Sequence, residues 1–450
     1  MSPSIPYCDP TSCPAAGCDP VVCTGKGVPS NAVLFERSAR AIPGGVNSSI
    51  RAFKAVGGSP YVVARGDGAH VHDVEGNRYI DLVQSYGAVI LGHAHPAITA
   101  ALRAAASDGT SFGAPTPREM KLAEAIGERV PSCERVRLMN SGTEATSTVV
   151  RLARGLTGRK KIITFNGNFH GATDALLAAG GSGVATLGLP GTAGVPEEAV
   201  ANTIVAPYNV VPEIGHDVAA VIVEPVAANM GVVAPVPGFL EGLRAACDKV
   251  GALLVFDEVI TGFRLGAGGA QAHFGVTPDL TCFGKVIGGG LPIGAVGGRR
   301  DVMEILSPLG KVFHAGTLAG NPMATAAGLA ALSVLTPEVY ETIERRATRL
   351  AALLTEGARS AGLSLSVTRV GTLNGVFLGD ALGGRAPVNF DEAKRTDEQA
   401  YARLFHAALN EGIAMAPGAY EALFVGLAHD DSVLDDLAER FARAAAVANR

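Results

Sequence analysis

The chain predicts an α/β fold: a large domain with a mostly parallel sheet covered by helices, and a smaller C-terminal α+β domain. Three observations predict it. Short apolar, β-branched runs alternate with helix-length amphipathic segments through the middle of the chain. Two long amphipathic stretches, 339–362 and 432–450, close it. Of its 450 residues 48% are apolar and 18% charged, enough apolar mass for a large core or two domains.

Residues 1–30 stand apart. Cys8, Cys13, Cys18 and Cys23 are spaced evenly with prolines between them. The segment lacks the apolar stretch of a secretory signal and the arginines of a transit peptide. One reading is a metal site, although the spacing is not the close CxxC pairing of common zinc sites; the other, which is expected, is a flexible tail without metal or a start codon placed too early. An N-terminal segment, 31–95, follows. Within it 69-AHVHDVEGNRYIDL-82 reads as two strands around a turn at Glu75-Gly76-Asn77. The large domain is expected over 96–334. Its strands are 135-RVRLMN-140, 160-KKIITFN-166, 219-AAVIVEPV-226 and 252-ALLVFDEV-259, with helices at 143–158 and 238–251. The Gly/Ala-rich stretch 171–196 is long for a connection inside a compact domain and reads as a lid or binding loop, with a floppy surface insertion as the alternative. Residues 335–450 make the small domain.

The net charge of −5 gives no reason to expect nucleic acid or an anionic membrane as partner. No apolar run is long enough to span a bilayer. Cys133, Cys247 and Cys282 are scattered and read as buried thiols of a reduced, cytoplasmic protein.

Three motifs carry chemistry. In 139-MNSGTEAT-146 a strand ends at Asn140, and Ser141-Gly142-Thr143 open a helix whose free N–H groups suit a phosphate. The alternative is plain capping, with Ser141 and Glu144 as a capping box. In 255-VFDEVITGFR-264, Asp257 and Glu258 end a buried strand, where α/β sheets bind ligands. Such an acid needs a positive or donor partner, either a protonated ring nitrogen or, as a structural ion pair, Arg264. In 281-TCFGKVIGGGLPIG-294, Lys285 lies among small apolar residues with no acid nearby in sequence. Burial would lower its pKa and leave an amine able to attack an aldehyde. A phosphate cup, an acid for a pyridinium and an amine for an aldehyde together describe a site for pyridoxal 5′-phosphate.

These residues resemble the class III aminotransferases of PLP fold type I, and within them the branch of intramolecular aminomutases that act on glutamate 1-semialdehyde. The similarity runs from about Ala32 to the C-terminus. It includes 44-GGVNSSIRAF-53, 91-LGHAHP-96, 140-NSGTEAT-146, 224-EPVAANM-230, 253-LLVFDEVITGFR-264, 277-TPDLTCFGKVIGGGLPIGAVGGR-299 and 314-HAGTLAGNP-322. The resemblance implies a seven-stranded sheet and a homodimer with shared active sites. It implies that Lys285 holds the cofactor aldehyde, that Asp257 faces the pyridine nitrogen, and that Ser141, Gly142 and Thr143 hold the phosphate. Thr317 would reach the phosphate in the neighbouring subunit. Phe169, in place of a tyrosine, with His170, would lie at one face of the ring, Val259 at the other and Asn229 at its hydroxyl. On the substrate side it implies Arg51 for a carboxylate, and also Ser48, Tyr86, the lid residue Ser182 and the acid Glu421.

Departures from the pattern fall mainly on the substrate side: Tyr86 replaces a tryptophan, 168-NFHGATD-174 loses a tyrosine hydroxyl and a histidine, and His314 replaces a glutamine. Two activities on a small amino substrate therefore stand. One is an aminomutase that makes 5-aminolevulinate through the pyridoxamine form of the cofactor. The other is an aminotransferase acting on a different amino acid or amine.

Overall fold

The protein is described by a computed structural model over residues 29–178 and 192–450. The four-cysteine tail and Ser182 of the expected lid lie outside the described residues.

The expected hairpin is present. β1 (Val63–Asp67), β2 (His70–Asp73) and β3 (Arg78–Asp81) form an antiparallel meander. Its turn is organised by one carboxylate. Asp73 accepts from Glu75 N (3.0 Å), Asn77 N (2.8 Å), Asn77 Nδ2 (2.8 Å) and the Tyr79 hydroxyl (3.0 Å). Gly76 between them has φ 90°, which glycine adopts without strain.

The main sheet has seven strands: β4 (Arg135–Met139), β5 (Lys161–Phe165), β6 (Thr203–Ala206), β7 (Val218–Val223), β8 (Leu253–Asp257), β9 (Leu280–Gly284) and β10 (Gly294–Gly298). Their spatial order is β4-β10-β9-β8-β7-β5-β6. Only β10 runs against its neighbours; the rest are parallel, so their carboxyl ends share one edge. The four strands read from the sequence are among the seven.

The central strands β7, β8 and β9 are buried at every position and mostly apolar because both faces are covered. Successive side chains alternate between faces. Val221, Val223, Leu254 and Phe256 pack with Phe239, Leu240 and Leu243 of helix Phe239–Val250. Ala220, Ile222, Leu253 and Val255 pack with Ala145, Val149 and Leu152 of helix Gly142–Thr157. The latter is α1 and the former α2 below. Truncating one such residue, Leu254→Ala, would cost ~2–5 kcal/mol.

The C-terminal part packs α3 (Pro337–Ala361), α4 (Glu398–Asn410) and α5 (Asp431–Ala448) around Leu350, Leu354, Leu404, Phe405, Leu434 and Phe441. A three-stranded sheet, β11 (Leu365–Val370), β12 (Leu373–Leu378) and β14 (Leu423–Phe424), lies with it. The two-residue strand β13 (Ile413–Ala414) pairs in parallel with β3, tying this part to the N-terminal meander. Among the described residues no single helix is long and apolar enough to cross a membrane.

Candidate active site

The chemistry-bearing motifs converge on the carboxyl edge of the main sheet. Asn140 follows β4, Glu224 follows β7, Asp257 ends β8 and Lys285 follows β9. Adjacent strands lie about 4.8 Å apart, so this edge is compact.

Asp257 is 5% exposed and sits against His170, with Oδ2 2.7 Å from Nδ1. Its other oxygen accepts from Val259 N at 3.1 Å. The His170 carbonyl accepts from Thr146 Oγ1 at 2.6 Å, which fixes the histidine to α1. Its Nε2 is buried and has no hydrogen-bond partner among the described residues. The predicted alternative partner of the acids, Arg264, does not bind either. Glu258 accepts instead from Thr261 Oγ1 (3.0 Å), Ala270 N (2.5 Å), Gln271 N (3.2 Å) and Gln271 Nε2 (3.0 Å). Glu258 is thus structural, and Asp257 alone of the two faces the site's histidine.

The sequence reading gave no role to Glu224, which is a hub of this edge. It is 4% exposed and accepts from Phe169 N (2.6 Å), Ala228 N (3.2 Å) and Asn229 Nδ2 (2.9 Å). Its own N–H is held by Asn168 Oδ1 at 2.9 Å. One carboxylate therefore positions both Phe169 and Asn229. Burial pushes it up to about 7; the charge of His170 opposes this and that of Asp257 adds to it. Its signal was present in sequence: like Asp257, it stands at the end of a wholly apolar strand.

The N-terminus of α1 closes against this cluster. Ser141 Oγ accepts from Glu144 N at 3.2 Å as the N-cap. The capping box is not completed: the Glu144 carboxylate accepts from Asn140, at N (2.9 Å) and Nδ2 (3.2 Å), and not from the cap residue's own N–H. A Cβ on Gly142 would lie 3.0 Å from Val259 Cγ2, and one on Gly284 would lie 3.2 Å from Val259 Cγ1. Val259 thus packs between the helix start and the residue before Lys285. Thr143 Oγ1 accepts from Ala172 N at 3.3 Å, joining the helix start to the loop after His170.

Lys285 is half-buried and left-handed, with φ 47°. Such strain in a non-glycine residue costs ~1–2 kcal/mol and is held by surrounding structure. Burial pushes its amine down to about 8, against the opposing charges of Glu421, Glu224 and Asp257. The acids absent from its own stretch thus lie on other elements. Glu421 acts on both the Lys285 amine and the Tyr86 phenol. Burial raises the Tyr86 phenol; the charge of Glu421 raises it further and that of Arg51 opposes.

Other expected residues lie farther out. Arg51 and Ser48 are exposed, Ser48 preceding the short helix Ser49–Ala52. Thr317 is exposed, on a loop that also exposes Phe313 and Leu318. His314 lines a pocket of about 400 Å³ with Glu119, Arg137, Gly316 and Ala319; Lys285, Asp257 and Tyr86 are not in its lining. Its Nε2 is buried and has no hydrogen-bond partner among the described residues.

Comparison with known proteins identifies the family. The class-III aminotransferase family model matches residues 53–444. A glutamate-1-semialdehyde 2,1-aminomutase of Bordetella avium is 52% identical over 412 residues, 90% of this chain and 96% of that one. One from Syntrophobacter fumaroxidans is also 52% identical, over 90% of this chain and 94% of that one. Among solved structures, an omega-transaminase from Sphaerobacter thermophilus has TM-score 0.85 and 32% identity, covering 94% and 99% of the two chains. A glutamate-1-semialdehyde aminomutase from Pseudomonas aeruginosa in complex with PMP has TM-score 0.81 and 26% identity, covering 92% and 93%. With its helix start, acid–histidine pair and lysine on one sheet edge, and a family match across most of its length, the chain belongs to the class III aminotransferases.

Proposed function

We propose that the protein is a pyridoxal-phosphate-dependent glutamate-1-semialdehyde 2,1-aminomutase that forms 5-aminolevulinate. The observation that carries this is the 52% identity to aminomutases over 90% of the chain. The site's donor set supports the cofactor. A helix start with a glycine at its first position suits a phosphate. A buried carboxylate already braced by a histidine suits a pyridinium. An amine lowered to about 8 suits an aldehyde.

On this reading Ser141, Gly142 and Thr143 hold the phosphate, Asp257 the ring nitrogen and Asn229 the ring hydroxyl. Phe169 and Val259 cover the ring faces. The bound cofactor supplies an electron sink for carbanion chemistry at the amine-bearing carbon. Lys285 would take and return protons at that carbon, since an amine with a pKa of about 8 serves in both directions. Arg51 and Ser48 take the substrate carboxylate, and Glu421 and Tyr86 form the wall beside the amine. Ser182 would act from the lid. Thr317, beside exposed Phe313 (69%) and Leu318 (52%), would reach the site of a second copy in a homodimer.

A transaminase is the second reading. It is favoured by the higher structural likeness to the omega-transaminase and by Tyr86, Phe169 and His314. One assay separates them. Protein loaded with pyridoxamine phosphate receives glutamate 1-semialdehyde with no amino donor and no keto acid. Sustained 5-aminolevulinate formation is expected. Turnover only after an external donor and acceptor are added would establish the transaminase.

A further inference from the structure

Arg264 is fully buried, yet no carboxylate binds it in the described structure. Burying a charge is costly unless it is compensated, so its partners matter. They are carbonyls on two different segments. Nε and Nη2 donate to Gly87 O at 3.2 and 3.1 Å, and Nη1 donates to Val425 O at 3.1 Å. The guanidinium lies 5.1 Å from the centre of the Phe424 ring. The arginine's own carbonyl accepts from Thr372 Oγ1 at 2.9 Å.

Each contacted segment carries part of the substrate-side wall. Gly87 ends a turn in which Gln84, Ser85 and Tyr86 all have left-handed backbones, with φ of 48°, 50° and 55°. Such a run is not stable alone. Gln84 does not hold it, because both its amide atoms are buried and have no hydrogen-bond partner among the described residues. It is held from below by Asp81, whose Oδ1 accepts from Val83 N (2.9 Å) and Gln84 N (3.1 Å). From the side it is held by Arg264. Val425 and Phe424 follow Glu421 on the second segment, and Phe424 N donates to Leu82 O at 2.8 Å. Arg264 itself lies seven residues beyond Asp257, on the loop that also carries Val259.

We propose that Arg264 is a positioning residue that fixes the Tyr86 turn and the Glu421 segment relative to the Asp257–Lys285 edge, and so sets substrate fit. It touches none of the reacting atoms. Lysine has one compact ammonium and cannot span both carbonyls as a planar guanidinium does. This inference rests on the functional reading above, and its test has an arm that does not.

The chain contains no tryptophan, so Tyr86→Trp places a single indole fluorophore on the turn. Anisotropy and acrylamide quenching of that indole are compared in the Arg264 and Arg264→Lys backgrounds. In parallel, the cofactor-loaded Arg264→Lys protein with Tyr86 intact is assayed on glutamate 1-semialdehyde. Expected are a lower anisotropy with easier quenching, an unchanged visible cofactor band, and a KM raised about tenfold with a smaller change in kcat, as for one lost charge-assisted hydrogen bond. Unchanged fluorescence and KM would overturn the proposal, as would loss of the cofactor band in step with activity. If Arg264→Lys does not fold, Thr372→Val, which removes only the hydroxyl held by Arg264 O, decides by the same readings: a more mobile indole supports the proposal and an unmoved one overturns it. Should unmutated protein fail to turn over the semialdehyde, the functional reading falls while the fluorescence comparison still decides the role of Arg264.

Discussion

The two sides of the site are built differently. The sheet edge consists of groups at strand and helix ends: Asp257 on β8, Glu224 after β7, Lys285 after β9 and Ser141 before α1. Each is fixed by an element whose apolar core holds it, which gives precise placement. On the proposed reading the opposing wall would consist of turns and short segments: Tyr86 in a left-handed run, Glu421 before a two-residue strand, Arg51 on an exposed short helix and Ser48 just before it. A scaffold that holds the common chemistry on rigid elements and specificity on loops can change substrate without rebuilding its core. Substitutions on the edge should therefore abolish function, and those on the wall should tune it.

The largest effect is expected at Lys285. Lys285→Ala should lose the visible band of the lysine-bound cofactor and lower turnover by ~10²–10⁴-fold or more, the range for losing an acid–base group. Retention of the band would break the comparison at its centre. The same residue makes an opposite prediction for stability. Its amine is lowered from 10.5 to about 8 by burial, so between those values the unfolded chain binds more protons than the folded one. Stability therefore rises with pH across that window, and at pH 7 the buried charge is a burden. Cofactor-free Lys285→Met should melt higher than the parent at pH 7, with the gap closing toward pH 10.5. A lower melting point at pH 7 would show that the amine stabilises the empty fold.

Glu224 ranks next. Its carboxyl is raised by burial from 4.5 to about 7, so the folded state binds the extra proton between those values. Its contribution is thus fully present below about 4.5 and is lost as pH rises through 7. Glu224→Gln should flatten the decline of cofactor-free stability across that window. It should also weaken cofactor retention, because a glutamine amide puts a donor against the N–H groups of Phe169, Ala228 or Asn229. Melting curves from pH 4 to 8 and dialysis of the loaded protein measure both. An unchanged slope together with unchanged retention would remove Glu224 from the edge's working parts.

The contrast also explains what was legible in the sequence. Helix starts and strand ends leave local marks, and VFDEV, MNSGTE and the lysine stretch could be read as a cofactor site from residue types alone. Strands β7 and β8 were legible because both faces demand apolar residues. β10, GAVGG, was not read as a strand, since glycine disfavours one. Its glycines answer a close approach: a Cβ on Gly294 would come 2.0 Å from Ser141 O. Glu224 ends an apolar strand as Asp257 does, but one of the groups it holds, Phe169, lies 55 positions away and leaves no local mark. The ion pair considered for Arg264 failed for the same reason: its partners, Gly87 and Val425, are carbonyls more than 160 positions distant in the chain, and any residue type supplies a carbonyl.

The smallest effect is expected at His314, and it tests where the wall ends. The sequence departure at this position resembles those at Tyr86 and Phe169, so all three could belong to one altered substrate surface. In the structure, however, His314 lines a pocket against β4 with Glu119 and Arg137, apart from Lys285 and Tyr86. Burial and the charges of Arg137 and Arg151 lower its ring, which is therefore neutral at pH 7. A neutral imidazole and a glutamine amide each offer one acceptor and at least one donor, so exchange there conserves hydrogen-bonding capacity. His314→Gln should leave kcat/KM for glutamate 1-semialdehyde within roughly threefold, about what a ±0.5 kcal/mol change permits. Tyr86→Trp, on the wall proper, should move it more. If His314→Gln instead shifts KM as strongly as Tyr86→Trp does, the wall extends across the Thr317 loop, and the substrate is then read by a surface that one chain alone does not complete.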